Sequence, residues 1–226
     1  MTKSTEHSST QNSPAPGNDA SGNPLRLGFL LSGGGRTLEN LVSYLEQHGV
    51  PAEIVVVISD RDDAFGLERA RRLGIDTAVM PCSNSDDSAT IFTRLEAAQV
   101  DFVLLGGFLR LLVVPPTWER RVLNIHPSLI PAHSGKGYYG MRVHRSVLAA
   151  GDKQTGCTVH FVDNVYDHGP ILLQETVPVL PDDDADAIAN RVFEAECRAF
   201  PRAIELLANG GVDWQADGSV RVTESS

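Results

Sequence analysis

From Leu25 onward, short runs of branched and aliphatic residues alternate with stretches of helical periodicity, and that alternation restricts what the chain can become. Leu27 to Leu31, Ala52 to Ser59, Thr77 to Met80, Phe102 to Leu105 and Arg121 to Ile125 read as strands. Between them, Thr37 to Gln47, Ala64 to Leu73 and about Asp86 to Ala98 read as helices, with a short helix near Pro116 to Glu119. Strands joined by helices form parallel pairs through crossovers. The predicted fold is α/β: a Rossmann-like, mostly parallel twisted sheet with helices on both faces.

The pattern changes after the fifth strand. A Gly- and Tyr-rich loop, His133 to Met141, is read as a lid or a surface loop, and leads into a helix over Val143 to Ala150. Thr155 to Val162 and Pro170 to Val179 are strand patterns separated by the seven residues Asp163 to Gly169, too few for a parallel crossover, so they should pair antiparallel. Asp184 to Ala208 is a long C-terminal helix with an acidic start, closed by Asn209-Gly210. Asp217-Gly218, between alternating residues of Val212 to Val222, signals a hairpin. Residues 25–226 are expected to form one domain. Residues 1–24 hold Ser, Thr, Asn, Pro and Gly with almost nothing apolar, and are expected to be a disordered tail.

Charge and cysteine content narrow the function. A net charge of −10 with no basic stripe argues against nucleic acid or an anionic membrane as partner. No stretch approaches the roughly 20 apolar residues of a membrane span, and the N-terminus lacks the apolar region of a secretory signal. Cys82, Cys157 and Cys197 are odd in number and in no metal-ligand spacing, which points to core residues in a reducing, cytoplasmic setting and to no metal.

Two polar features fall at the carboxyl ends of predicted strands, where open parallel sheets bind ligands. Ser32-Gly33-Gly34-Gly35-Arg36-Thr37 joins the first strand to the first helix. It lacks the third glycine of a dinucleotide fingerprint and the Gly-Lys-Ser/Thr of a Walker loop, leaving a tight turn or a cradle for a single phosphate. Asn124 and His126 alternate with Ile125, so they share one face of the strand that Pro127 ends. They combine an amide donor with an imidazole that titrates near neutrality, a kit suited to acyl transfer or a satisfied polar pair. Asp167, in Tyr166-Asp167-His168-Gly169-Pro170, is a turn former that could also fold back toward His126. His160 is read as a core histidine or a support behind that site; His48, His133, His144 and His168 are read as surface or loop residues. Gly106 and Gly107 permit close approach of a flat ligand, and Arg110 can serve a carboxylate.

Taken in order, Ser32-Gly33-Gly34-Gly35, Ala64-Phe65-Gly66-Leu67-Glu68-Arg69-Ala70, Gly107-Phe108-Leu109-Arg110, Asn124-Ile125-His126-Pro127-Ser128-Leu129-Ile130-Pro131 and Asp167-x-Gly169-Pro170 resemble the folate-dependent formyltransferases, in particular the glycinamide ribonucleotide transformylase (phosphoribosylglycinamide formyltransferase) family. The resemblance runs from about Leu27 to Gly210. It implies Asn124, His126 and Asp167 as catalytic trio. Gly35, Arg36 and Thr37 would hold the substrate phosphate. Glu196, within the segment Phe193, Glu194, Ala195 and Glu196, would hold the ribose hydroxyls. The folate pocket would be walled by Leu109, Arg110, Leu111 and Leu112, and by Asp163, Asn164, Val165, Tyr166 and Asp167, with Asn124 between. The implied reaction passes a formyl group from the co-substrate 10-formyltetrahydrofolate to glycinamide ribonucleotide in purine biosynthesis, with small molecules as partners, by a monomer or homodimer.

The chain departs from many relatives at Arg36 and Thr37, where Ser and Asn are common, and at Phe193, where some carry a polar substrate contact. Hydrolysis of the formyl folate by the same trio is the nearest alternative; a non-catalytic nucleotide- or folate-binding module is a second.

Overall fold

The computed structural model describes residues 23–223, so the expected tail lies, but for its last two residues, outside the described residues. The strands of the main sheet are β1 (Leu25–Leu31), β2 (Ala52–Ser59), β3 (Asp76–Val79), β4 (Phe102–Leu105), β5 (Val122–His126), β6 (Gln154–Phe161) and β7 (Ile171–Pro178). The helices are α1 (Arg36–His48), α2 (Phe65–Arg72), α3 (Ser85–Ala97), α4 (Met141–Ala150) and α5 (Ala185–Ala208), and a hairpin of β8 (Val212–Trp214) and β9 (Val220–Val222) completes the described chain. The sheet order is β3-β2-β1-β4-β5-β6-β7. Neighbours from β3 to β5 are parallel, and the β5–β6 and β6–β7 pairs are antiparallel, as the short Asp163 to Gly169 connection requires.

Alternation along β1 explains why both faces are covered. Leu27, Phe29 and Leu31 pack with Leu38, Leu41 and Leu45 of α1 and with the buried stripe of α5, while Leu30 faces Ile91, Phe92 and Leu95 of α3. Phe29 is fully buried with its ring 6.5 Å from that of Phe200, and truncating such a side chain to Ala typically costs about 3–5 kcal/mol.

Local chemistry sets the boundaries. Asn84 caps α3 by accepting from the amides of Asp86 and Asp87, so that helix begins at Ser85. Asp184 caps α5 by accepting from Ala187. The short helix expected near Pro116 to Glu119 is a single 3-10 turn over Pro116–Trp118; Glu119 turns extended (ψ 140) and ends it. Strand β5 continues one residue past Ile125, because His126 still pairs with Thr158 of β6.

Thr158 also sets the path of the chain beyond β5. Its hydroxyl donates to the Ser128 carbonyl at 2.7 Å and accepts from the Ile130 amide at 3.1 Å. The segment after His126 is thereby held against the sheet. No helix among the described residues is long and apolar enough to cross a membrane.

Candidate active site

The glycine turn sits where β1 ends. Gly35, at φ 74, caps α1 in the left-handed region, and a Cβ there would lie 2.7 Å from Gly66 Cα, so the position demands glycine. The Gly66 amide donates to the Gly33 carbonyl at 3.0 Å, and Arg69 pairs with Glu39, bracing the turn from α2. No side chain caps α1, which leaves its first amides and the positive end of its dipole facing a cavity of about 560 Å³ that Arg36 and Thr37 line. Ser32 ties this edge to the end of β4: its amide donates to Gly107, and its hydroxyl accepts from Leu109, each at 3.0 Å.

Asn124 and His126 meet the same cavity from β5, and Ile125 between them points into the core. Because β6 runs antiparallel to β5, the β6–β7 connection leaves beside Leu123 and folds back, carrying Asp167 to both. Asp167 Oδ2 lies 3.5 Å from His126 Nδ1, and Oδ1 lies 3.4 Å from Asn124 Nδ2. Gly169 permits this return, since a Cβ there would stand 2.0 Å from the Phe161 carbonyl oxygen. Asp167 itself sits at φ 51, a left-handed conformation that an Asp tolerates better than most residues. The Gly135 amide donates to its Oδ2 at 2.9 Å. His126 Nε2 donates to the His133 carbonyl at 2.9 Å, so that nitrogen carries a proton and Nδ1 is the one directed at Asp167.

His160 stands behind the trio. Its Nδ1 donates to the Phe161 carbonyl at 2.9 Å, which leaves Nε2 to accept from Asn124 Nδ2 at 3.1 Å. Burial pushes the His160 pKa down, in keeping with a neutral ring in that role.

At the other end of the cavity, α5 contributes Phe193 and Glu196. The Arg36 guanidinium lies 4.1 Å from the Phe193 ring centroid, a cation–π contact of about 0.5–1 kcal/mol at an exposed site. Glu196 is enclosed by protein yet keeps part of its surface toward the cavity; desolvation pushes its carboxyl up to about 7, against the pull of Arg36. Glu194 is exposed, Ala195 is buried, and neither lines the cavity.

Of the predicted folate-pocket residues, Leu109, Asn124, Tyr166 and Asp167 line the cavity; Arg110, Leu111, Leu112, Asp163, Asn164 and Val165 do not. Arg110 pairs with Asp60 at 2.8 Å, which competes with its expected service to a carboxylate. Asn164 clamps two loops together, its Oδ1 accepting from the Val114 amide at 2.8 Å and its Nδ2 donating to the Val114 carbonyl at 3.2 Å. Asp163 accepts from the Val165 amide and pairs with His168.

One histidine read as a surface or loop residue, His144, requires correction, and a second, His133, lies in its loop as expected but takes part in the site. His144 is buried in α4 and lines the cavity; its Nδ1 has no partner among the described residues, and burial, then the neighbouring His126, push its pKa down. The signal was its spacing: His144 lies three and four residues before Val147 and Leu148, on the inward face of the helix. His133 stays in the loop, but its ring is engaged by Asp152 at 2.6 Å and Ser146 at 2.7 Å while its carbonyl holds His126. The loop around it is part of the site, since Gly135 to Gly140 line the cavity. Burial raises the pKa of all three cysteines, Cys157 to about 12, which suits packing rather than nucleophilic roles.

Residues 25–204 match the family model described as formyl transferase. The chain is 42% identical over 193 residues to a trifunctional purine biosynthetic protein adenosine-3 of Drosophila melanogaster, covering 82% of this chain and 14% of that protein. It is 36% identical over 199 residues to a chloroplastic phosphoribosylglycinamide formyltransferase of Vigna unguiculata, covering 85% of this chain and 64% of that protein. It thus spans less than two thirds of either relative. Among solved structures, glycinamide ribonucleotide transformylase 1 from Symbiobacterium toebii superposes with a TM-score of 0.82 at 39% identity, covering 92% of this chain and 99% of that one. The matched span runs from β1 into α5 and includes both the glycine turn and every residue of the trio, so the chain belongs to the formyl transferase family.

Proposed function

We propose that the protein transfers a formyl group from 10-formyltetrahydrofolate to the primary amine of glycinamide ribonucleotide, a step of purine biosynthesis. The observation that carries this reading is the convergence of Asn124, His126 and Asp167 on one cavity that the uncapped α1 terminus and Glu196 also line. The α1 amides suit a phosphate, and the Glu196 carboxyl, lining the same cavity, suits ribose hydroxyls. That pair favours a phosphoribosyl acceptor over water, and so transfer over hydrolysis.

The amine attacks the formyl carbon, a C–N bond forms, and the carbonyl oxygen becomes an oxyanion. One Asn124 N–H is held by His160; the other, in its long 3.4 Å contact with Asp167, is the one able to turn to the oxyanion. Such a donor contributes about 3 kcal/mol to the transition state. The nitrogen that attacked loses a proton to the Asp167 carboxylate, and that proton passes through the adjacent His126 Nδ1, 3.5 Å away, to the folate nitrogen as its C–N bond breaks, so neither side chain ends the cycle changed. Gly107, Phe108 and Leu109, which line the cavity together with Tyr138 and Tyr166, supply apolar surface for the folate ring. The partners are then small molecules, in keeping with the charge of −10, and three free cysteines support a reducing compartment such as the cytoplasm.

Growth of a purine-requiring bacterial strain lacking this step tests the reading. The gene should restore growth without purine and His126→Ala should not; failure of the unaltered gene, expressed as folded protein, would count against it.

A further inference from the structure

Three features meet at His133. Its backbone stands at φ 51, in the left-handed region, which costs a residue with a side chain free energy unless its surroundings hold it there. Its ring is gripped at both nitrogens, Nε2 by Asp152 Oδ2 at 2.6 Å and Nδ1 by Ser146 Oγ at 2.7 Å. Its carbonyl oxygen accepts from His126 Nε2 at 2.9 Å.

The grip comes from outside the cavity. Ser146 lies on α4, Asp152 follows the left-handed C-cap Gly151 of that helix, and neither of them lines the cavity, nor does His133. A serine, a histidine and an aspartate in contact can serve nucleophilic attack, but a set withdrawn from the cavity holds structure instead. The Ser146 hydroxyl also bonds the Val143 carbonyl at 2.7 Å, within its own helix. Because that hydroxyl can donate to Nδ1 or accept from it, the ring stays held whether it carries one proton or two.

What is held is a short span of backbone that touches both members of the catalytic pair. The His133 carbonyl fixes a proton on His126 Nε2 and so turns Nδ1 toward Asp167, while the Gly135 amide, two residues on, donates to Asp167 Oδ2 at 2.9 Å. Ser128 Oγ secures the start of the span by donating to the Ala132 carbonyl at 2.6 Å. The His133 ring ties it to α4. Release of the ring would let the backbone leave its left-handed conformation, and both contacts would loosen together.

We propose that Asp152 and Ser146, by anchoring the His133 ring, hold the His126–Asp167 pair in register, which makes His133 a positioning residue for proton transfer in the site. The inference rests on the catalytic reading of that pair. It adds control from α4 that the side chains of the trio do not themselves contain.

Two readouts test this, one of them free of turnover. Nitrogen-15 NMR of the His126 ring at alkaline pH should show the proton on Nε2 in the unaltered protein and a mixture of tautomers in His133→Asn. Asn tolerates the left-handed backbone, so this substitution removes the grip and leaves the conformation allowed. In formyl transfer, His133→Asn should lower kcat about tenfold, for a displacement well under an ångström, with KM for both substrates within about twofold. Asp152→Ala should show the same pattern in both readouts. Asp152→Asn, whose amide oxygen still accepts from Nε2–H while Ser146 donates to Nδ1, should recover most of the rate. The variant carrying both His133→Asn and Asp152→Ala should match His133→Asn alone. Asp152 is partly exposed, so Asp152→Ala decides the question should His133→Asn fail to fold. An unchanged His126 tautomer, a loss confined to KM, or Asp152→Asn as slow as Asp152→Ala would overturn the proposal. If the unaltered protein transfers no formyl group, the proposed reaction falls, and the His126 tautomer still decides this inference.

Discussion

His160 Nε2 accepts a hydrogen bond from Asn124 Nδ2 at 3.1 Å, and it can do so only because its Nδ1 proton is committed to the Phe161 carbonyl. The backbone of β6 thereby sets which way the Asn124 carboxamide faces. Replacing Asn124 with Leu should lower kcat by about a hundredfold to a thousandfold, the range seen when a single oxyanion donor is removed. Replacing His160 with Leu should lower kcat less, about tenfold, because the amide remains but loses its orientation. Steady-state kinetics on the single and double variants checks this: the double should resemble Asn124→Leu, and multiplied losses would show that His160 acts independently.

Asp167 holds its carboxylate near His126 from a left-handed backbone, φ 51. Asn tolerates that conformation and its carbonyl can still accept from Gly135, so Asp167→Asn should keep stability within about 0.5 kcal/mol while kcat falls about a hundredfold or more. Asp167→Val should in addition lose about 1–2 kcal/mol of stability to backbone strain. Urea denaturation of the two variants beside their kcat values separates chemistry from strain.

Burial brings the Glu196 carboxyl into the neutral range. Its carboxyl is pushed up to about 7 from an ordinary 4.5, so the folded state holds a proton that the unfolded chain releases. The contribution of this group to stability is therefore full below about pH 4.5 and lost as pH rises through about 7. Glu196→Gln should stabilise the protein more at pH 8 than at pH 5, by a difference of about 1–3 kcal/mol. Denaturation at the two pH values measures it; a variant equally shifted at both would refute the burial argument. If Glu196 accepts ribose hydroxyls as a carboxylate, acceptor binding should release protons near pH 7, readable by calorimetry in buffers of different ionisation enthalpy.

The parallel half of the fold is legible in the sequence because each strand is a short apolar run bounded by polar turns. Ala52–Ser59 and Phe102–Leu105 are found at the predicted residues. Boundaries that depend on side-chain caps are less legible: Asn84 moves the start of α3, and a change to extended backbone at Glu119 cuts a helix to one turn. In the site, Asn124 and His126 follow from strand periodicity, and Gly35 from the demands of a turn. Asp167 can be placed with them only through a return loop whose path depends on Gly169 and on the Gly135 amide. The burial of His144 and the backbone role of His133 escape for a related reason. A lone histidine carries weak periodic information, and a carbonyl acceptor carries none. Residues at the predicted folate wall show the converse: Asn164 fits the expected loop, but its side chain is engaged in joining that loop to Val114.

The most direct measurement traces an isotopically labelled formyl group from 10-formyltetrahydrofolate in the presence of glycinamide ribonucleotide. The trio, the α1 terminus and Glu196 together predict that the label appears in formylglycinamide ribonucleotide, and that Asn124→Leu and His126→Ala each slow its transfer by about a hundredfold or more. Label recovered as formate at the same rate with or without the ribonucleotide would contradict transfer, and would make water the acceptor.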